Sequence, residues 1–566
     1  MEKLVAWRPK LCLALILVLA AALRFYCLDW DGGIGAHPDE RHVVGVAENL
    51  GWPGHLNPFD VAPDFAYGHL PLYLVMLVGR LAPGVDLLLV GRALAAAFDL
   101  GVVALTFVLG RQVYAGRAAE ATGLLAAAFV ALMVSHVQQA HFYTADAPLV
   151  FFVLGALLFA VRLAERGRPL DAWLGGAWAG LALGIKFSAA LLTLPLGVAL
   201  MIAPMPSVSD HRTVRLRRGL ACGAAALATF ALTNPWALAE FPTFWRNVAE
   251  QSAIVRGVLD APYTRQFHGT WPYLYPIVQQ LRWGMGWPLG VVAFGGLAYA
   301  VWRAVREPPG RAEWVLLAWV LPGFSFVGAL YARFPRYLLP LTPLLAVYAA
   351  RLLLALRQHS RRLASLLVCL ALVYSFLHCL AFTNLYRSPH PWQVASEWFY
   401  DHVPRGATIA IEHWDHPLPL NAAAYDVREL PVFDEDSPEK WEMMEEILAQ
   451  ADYVVVASRR GYATLARWPE RYPLTAQYYA RLFGYARLFG DARLFGGELG
   501  FEPAACFGRH PRLGPVTLAD DPTVGLDFAL PRLCQPQAPF VLRLGRLDES
   551  FVVYDHPQVV IWQRAK

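Results

Sequence analysis

Long apolar stretches separated by short polar intervals fill the chain from residue 11 to residue 383. A membrane-crossing helix needs about 20 apolar residues in a row, with roughly 17–25 tolerated. Stretches near that length lie at 11–28, 87–110, 118–134, 147–163, 172–186, 187–203, 219–236, 287–304, 314–331, 337–356 and 363–383, and they predict about eleven crossings. Ala172–Met201 reads as two short crossings with a turn near Gly184–Ser188, because basic intervals flank it on both sides. Leu70–Leu81 is apolar but too short to cross, and is expected to lie in the membrane interface. Beyond residue 383 the pattern changes. Ala407–Ile411 and Tyr453–Ala457 read as buried strands and Pro438–Ala449 as a helix, so a small α/β domain is expected over 384–566. The fold class predicted is a polytopic α-helical membrane protein, residues 1–383, followed by that α/β domain.

Basic residues orient the crossings. Arg111 and Arg117, Arg162 to Arg168, Arg212 to Arg218, Arg303 to Arg311, and Arg357 to Arg362 all fall in intervals on the side of the N-terminus. The excess of Lys and Arg marks the cytoplasmic side. The chain is therefore expected in the plasma (inner) membrane, N-terminus cytoplasmic, with the C-terminal domain extracytoplasmic. Composition agrees. The chain is 57% hydrophobic and 16% charged, against about 25% charged for a soluble domain. A net charge of +4, with no pooling of basic residues, gives no reason to expect a nucleic-acid partner. Seven cysteines show no C-x-x-C spacing, and Cys506 and Cys534 are a candidate disulfide in an oxidising compartment.

The first loop holds His37-Pro38-Asp39-Glu40-Arg41-His42 ahead of a helical pattern. Asp39 suits its N-cap and Glu40 its first turn. A carboxylate fixed there is also placed to deprotonate a hydroxyl at the membrane surface. Asp146, in Tyr143-Thr-Ala-Asp-Ala-Pro148, is expected at the same depth, either capping the next span or sharing the chemistry. Lys186 sits in an apolar stretch, which is expensive unless its ammonium meets water or an anion. Arg333 and Arg336 are basic on the side where positive charge is disfavoured. Snorkelling explains them, and so does a lipid phosphate. The aromatics Trp271 to Tyr275, Trp283 and Trp287 suit an interfacial belt or a sugar contact. His413-Trp-Asp-His416 lacks a further ligand for a metal site. Ala480–Gly497 repeats a hexapeptide, too short in period for a solenoid. Asp99, inside the second span, has no evident partner, and an intramembrane acid is a functional candidate by default.

The pattern resembles the GT-C superfamily of polyprenyl-phosphate-sugar-dependent glycosyltransferases, in the protein O-mannosyltransferase and aminoarabinose-transferase branch (glycosyltransferase family 39). The resembling residues are His37-Pro-Asp-Glu40, Tyr67-Gly-His-Leu-Pro-Leu-Tyr73, Tyr143 to Pro148, Gly184-Ile-Lys-Phe-Ser188, Asn234-Pro-Trp236 and Arg336-Tyr-Leu-Leu-Pro340. The resemblance implies a catalytic base at Asp39, with Glu40 beside it and Asp146 as a second acid. It implies substrate contacts at His37, His42, Tyr67, His69, Tyr143, Lys186, Arg333, Arg336 and Tyr337, the cations lying near the carrier phosphate. The partners implied are a polyprenyl-phosphate sugar donor, membrane lipid, and an acceptor (lipid, glycan or protein) that the sequence does not identify. No cofactor is implied, and a divalent metal is left without support. The reaction implied is inverting transfer to an acceptor hydroxyl. The C-terminal part does not look like the repeat domain of the eukaryotic mannosyltransferases, so a protein acceptor does not carry over. The competing expectation is a transporter or lipid flippase, which Asp99 alone favours.

Overall fold

The apolar stretches become helices because their backbone polar groups must be satisfied within the segment when lipid replaces water. The computed structural model describes residues 2–51, 54–114, 117–206, 210–414, 416–484 and 499–565. The chain divides into two compact units. One comprises Met1–Leu28, His37–Leu259 and Thr270–Cys379; the other comprises Asp29–Ala36, Asp260–Gly269 and Leu380–Lys566. The second unit thus takes in two short segments from the loops of the first stretch of chain, which a single cut at residue 383 does not anticipate.

In the first unit a helix stands at each of the eleven expected positions. Among the described residues, six helical stretches are long and apolar enough to cross a membrane: Leu87–Val113, Asp146–Arg166, Trp287–Arg306, Arg311–Ala329, Pro335–His359 and Arg361–His402, the last running past Cys379 into the residues of the second unit. A bent pair, Ala118–Ala131 and Val134–Ala140, makes up to seven, with a 60° angle at its break. The expected total of about eleven is therefore not confirmed. Pro169–Leu183 has 15 residues and Thr193–Ile202 has 10, and at a rise of about 1.5 Å per residue neither alone spans a core of about 30 Å. Leu70–Leu81 is a separate short apolar helix. Close packing in this unit relies on small residues. Built Cβ atoms at Gly176 and Gly180 would lie 2.0 Å from Cys222 O and 2.2 Å from Ala226 O, so these two glycines let Pro169–Leu183 lie directly on the His211–Thr233 helix.

The second unit contains a five-stranded sheet ordered β2-β1-β3-β8-β4. Its strands are β1 (Thr408–Glu412), β2 (Asp426–Leu430), β3 (Tyr453–Val456), β4 (Phe501–Phe507) and β8 (Val559–Arg564). The first three pair in parallel, while β8 runs antiparallel to both β3 and β4. β2 and β3 flank β1 on opposite sides, and the chain passes from one to the other through the Pro438–Gln450 helix. Ser437 caps that helix by accepting from Lys440 N, with Pro438 at its first position. Tyr453–Val456 is buried along its whole length, as the near-continuous apolar run of a covered parallel strand predicts. A smaller sheet joins β5 (Arg512–Leu513), β6 (Val516–Ala519) and β7 (Phe540–Arg543) in that order. Asp31 organises one of the short outlying segments by accepting from Gly33 N and Ala36 N.

Cys506 and Cys534 form a disulfide with Cα atoms 5.3 Å apart and a sequence separation of 28. Closing a loop of that length should stabilise this unit by roughly 3–4 kcal/mol. Replacing both cysteines with serine should lower its melting temperature, read by calorimetry with and without reductant; an unchanged melting point would remove the bridge as a stabiliser. Most of the hexapeptide repeat, residues 485–497, lies outside the described residues, as does Asp415.

Candidate active site

His37 opens the Pro38–Asn49 helix. Its Nδ1 accepts from the Asp39 amide at 3.2 Å, and Pro38 follows at the first helical position. Asp39 was the expected N-cap. The structure moves the cap two residues earlier, because Pro38 has no amide to give up and its fixed φ suits the first turn. Asp39 and Glu40 then sit side by side in that turn. At 3.6 residues per turn, neighbours diverge by about 100°, so the two carboxylates cannot share an environment.

Glu40 points into the protein and is fully buried. Arg92 grips it with two parallel bonds, Nε to Oε1 at 2.9 Å and Nη2 to Oε2 at 3.0 Å. The Tyr143 amide donates to Oε1 at 2.8 Å, and Arg92 Nη1 reaches Leu28 O at 2.8 Å. Its geometry ties the first loop to two other segments.

Asp39 keeps 22% of its side chain exposed and faces the other way. Arg336 Nη1 lies 3.1 Å from its Oδ2, and Arg336 Nε lies 3.8 Å from Asp146 Oδ2. Lys186 Nζ stands 3.3 Å from Asp146 Oδ1 and 4.9 Å from the centre of the Tyr337 ring. Asp39, Asp146, Lys186, Arg336 and Tyr337, from four separated stretches, therefore converge with Tyr67. Burial acts to raise the pKa of Asp39. Arg336, the hydrogen bond from Tyr67 and Lys186 outweigh it and hold the carboxyl below its ordinary value. Tyr67 is pushed well above the usual phenol range, first by burial and then by the Asp39 charge. The site thus holds an ionised carboxylate beside a protonated phenol.

Three of the short motifs meet directly. Gly68 N donates to Ile185 O at 3.0 Å and Leu70 N to Gly184 O at 3.2 Å, while the His69 amide donates to Asn234 Oδ1 at 2.7 Å. A Cβ on Gly68 would come within 2.0 Å of Gly184 O, so only glycine permits this approach. The pairing fixes the stretch just before Lys186 against the stretch just after Tyr67.

Other expected substrate contacts are held within the protein. The His37 ring lies 4.8 Å from Phe142, and His42 stacks on Phe65 at 5.3 Å. His69 is buried among Phe59, Phe65 and Tyr73, and burial lowers its pKa to about 4, leaving a neutral ring at pH 7. The Tyr143 hydroxyl donates to Pro71 O at 2.7 Å. Arg333 turns to Thr270, reaching Oγ1 at 2.6 Å. Of the aromatics, Trp271 and Trp287 are exposed whereas Trp283 is buried. Among the described residues, no group of three or more His, Cys, Asp or Glu side chains is placed to hold a metal ion. His413 reaches Leu430 O and Asp434 instead.

Asp99 gains the partners its sequence context did not reveal. Arg24 Nε lies 2.6 Å from its Oδ2 and His136 Nδ1 2.6 Å from its Oδ1, all three side chains fully buried. Arg24, Arg92 and His136 were missed by sequence reasoning. The signal was present for Arg92, a basic residue inside a predicted span, and no spacing rule links it to Glu40.

Residues 70–236 match the sequence family described as dolichyl-phosphate-mannose-protein mannosyltransferase. The matched stretch contains Asp146, Lys186 and Asn234. No curated protein matches it in sequence. Among solved structures, the oligosaccharyltransferase of Archaeoglobus fulgidus, crystallised with Zn and sulfate, is 16% identical with a TM-score of 0.48, covering 82% of this chain and 71% of that one. ArnT from Cupriavidus metallidurans bound to undecaprenyl phosphate is 17% identical with a TM-score of 0.43, covering 82% of this chain and 95% of that one. The S. cerevisiae protein O-mannosyltransferase Pmt1-Pmt2 complex bound to the sugar donor is 17% identical with a TM-score of 0.33, covering 42% of this chain and 34% of that one.

Proposed function

We propose that the first unit transfers a sugar from a polyprenyl-phosphate-linked donor to an acceptor hydroxyl, with inversion, at the extracytoplasmic face of the plasma (inner) membrane. The observation that carries this reading is Arg336 lying between Asp39 and Asp146 with Lys186 alongside. Asp39 takes the proton of the acceptor hydroxyl. The freed oxygen attacks the anomeric carbon from the face opposite the phosphate. The bond from that carbon to the phosphate oxygen breaks, and its electron pair leaves with the polyprenyl phosphate. Arg336 and Lys186 stabilise the charge that develops there, since a guanidinium fits phosphate oxygens in two contacts. Before the donor arrives the same cations are paired with the two carboxylates. A bound phosphate draws Arg336 away from Asp39 and removes a charge that holds the carboxyl acidic, so the base strengthens as the donor seats. Glu40 is a positioning residue in this scheme.

Orientation follows from the basic intervals on the N-terminal side, and the Cys506–Cys534 disulfide suits an oxidising compartment for the second unit. Reporter fusions at residues 165, 215 and 390 test it; a cytoplasmic signal at 390 would overturn the assignment. Against the transporter alternative, Asp99 is fully buried and bonded to Arg24 and His136.

The test uses purified protein and polyprenyl-phosphate sugars. Arg336→Ala should weaken donor binding roughly 10–100-fold, the scale of hydrogen bonds to a charged group, as read from the donor KM. An unchanged donor KM in folded protein would remove Arg336 from the phosphate.

A further inference from the structure

The turn that carries Arg336, Pro335–Leu341, begins and nearly ends with proline, so it lacks the amides for a regular helix. Side chains hold its carbonyls instead. Gln280 Nε2 donates to Pro335 O at 3.0 Å, Trp319 Nε1 to Pro340 O at 3.2 Å, and Thr342 Oγ1 to Leu339 O at 2.9 Å. Thr342 has one hydroxyl proton, and it is used on Leu339. Its oxygen therefore accepts from His136 Nε2, 2.8 Å away. On the other side of the ring, Nδ1 faces Asp99 Oδ1 at 2.6 Å, and a carboxylate only accepts. The ring thus bridges Asp99 and Thr342. Arg24 closes the chain. Its Nε binds Asp99 Oδ2, and its Nη atoms reach Ala20 O, Ala131 O and Val130 O at 3.1–3.3 Å.

Arg24, Asp99, His136 and Thr342 are all fully buried. Buried ions inside a membrane protein are expensive to keep, and well-packed apolar residues often replace them without loss of stability. We propose that this chain is a positioning device: Asp99, anchored by Arg24, acts through His136 and Thr342 to set where the Arg336 turn presents its guanidinium to the donor phosphate. The inference rests on the reading of Arg336 as a phosphate-binding residue.

Thr342→Val keeps the shape of the side chain and removes both of its hydrogen bonds, whereas Thr342→Ser keeps them. In full-length protein assayed with a polyprenyl-phosphate sugar, Thr342→Val should raise the donor KM about tenfold, and Thr342→Ser should stay within about twofold of wild type. In an Arg336→Ala background Thr342→Val should add nothing, because the residue it positions is gone. Should Thr342→Val not purify folded, Asp99→Asn carries the same expectation. If Arg336→Ala raises the donor KM and neither Thr342→Val nor Asp99→Asn does, the positioning chain is overturned alone. An undiminished effect of Thr342→Val on the Arg336→Ala background also overturns it. If Arg336→Ala leaves the donor KM unchanged, the phosphate reading fails first and the inference falls with it.

Discussion

Asp39→Asn should cut turnover roughly 10²–10⁴-fold, the usual contribution of a positioned general base, while leaving the donor KM close to that of the parent protein. The amide keeps the size of the carboxyl and its place beside Arg336 and Tyr67, but cannot take a proton from the acceptor. The pH profile follows with a definite sign. Arg336, the Tyr67 hydrogen bond and Lys186 hold Asp39 below its ordinary carboxyl value against the opposing effect of burial. Its ionisation is therefore complete above the usual aspartate range, and kcat/KM should show no acidic limb from this group between about pH 5 and 8. For stability the same sign holds. The favourable pairing is present above the unfolded pKa and is lost as pH falls through the depressed folded one. In the donor complex the phosphate competes for Arg336, so the acidic limb of kcat should lie at higher pH than that of kcat/KM. Full-rate turnover by folded Asp39→Asn protein would remove the base.

How much of this was legible beforehand varies with the length of the interaction. Helix positions follow from runs of apolar residues, and those runs are local, so every expected span has a helix. The number of crossings is less local: the break at Gly184–Lys186 and the bend before Val134 depend on packing that a hydropathy window does not see. Asp39, Asp146, Lys186 and Arg336 could be nominated one by one, because charged residues at a membrane surface are few. Nothing local distinguishes Asp39 from Glu40, adjacent acids in one helical turn. Only the partners do, and Arg92 lies 52 residues away from Glu40 in sequence. Asp99 teaches the same point. It looked like a solitary intramembrane acid, yet its partners come from residues 75 positions before it and 37 after it.

Glu40→Ala should fail in a different manner from Asp39→Asn, and the contrast tests the division of labour between the neighbours. Removing the Glu40 carboxyl leaves the Arg92 guanidinium buried with no counter-charge, and strips the Tyr143 amide of its acceptor. Removing one partner of a buried pair is worth about 3–5 kcal/mol of destabilisation, because the remaining charge has lost both water and its counter-ion. That is a large share of a typical total of 5–15 kcal/mol. Glu40→Ala should therefore lower the melting temperature sharply and reduce the yield of folded protein, with activity lost in proportion. Glu40→Gln keeps the shape and one acceptor oxygen, so it should lose less stability and retain measurable turnover. Thermal unfolding of the three variants in one detergent settles the matter. A stable, inactive Glu40→Ala protein would mean that Glu40 acts in the chemistry, and that its pairing with Arg92 is dispensable to the fold.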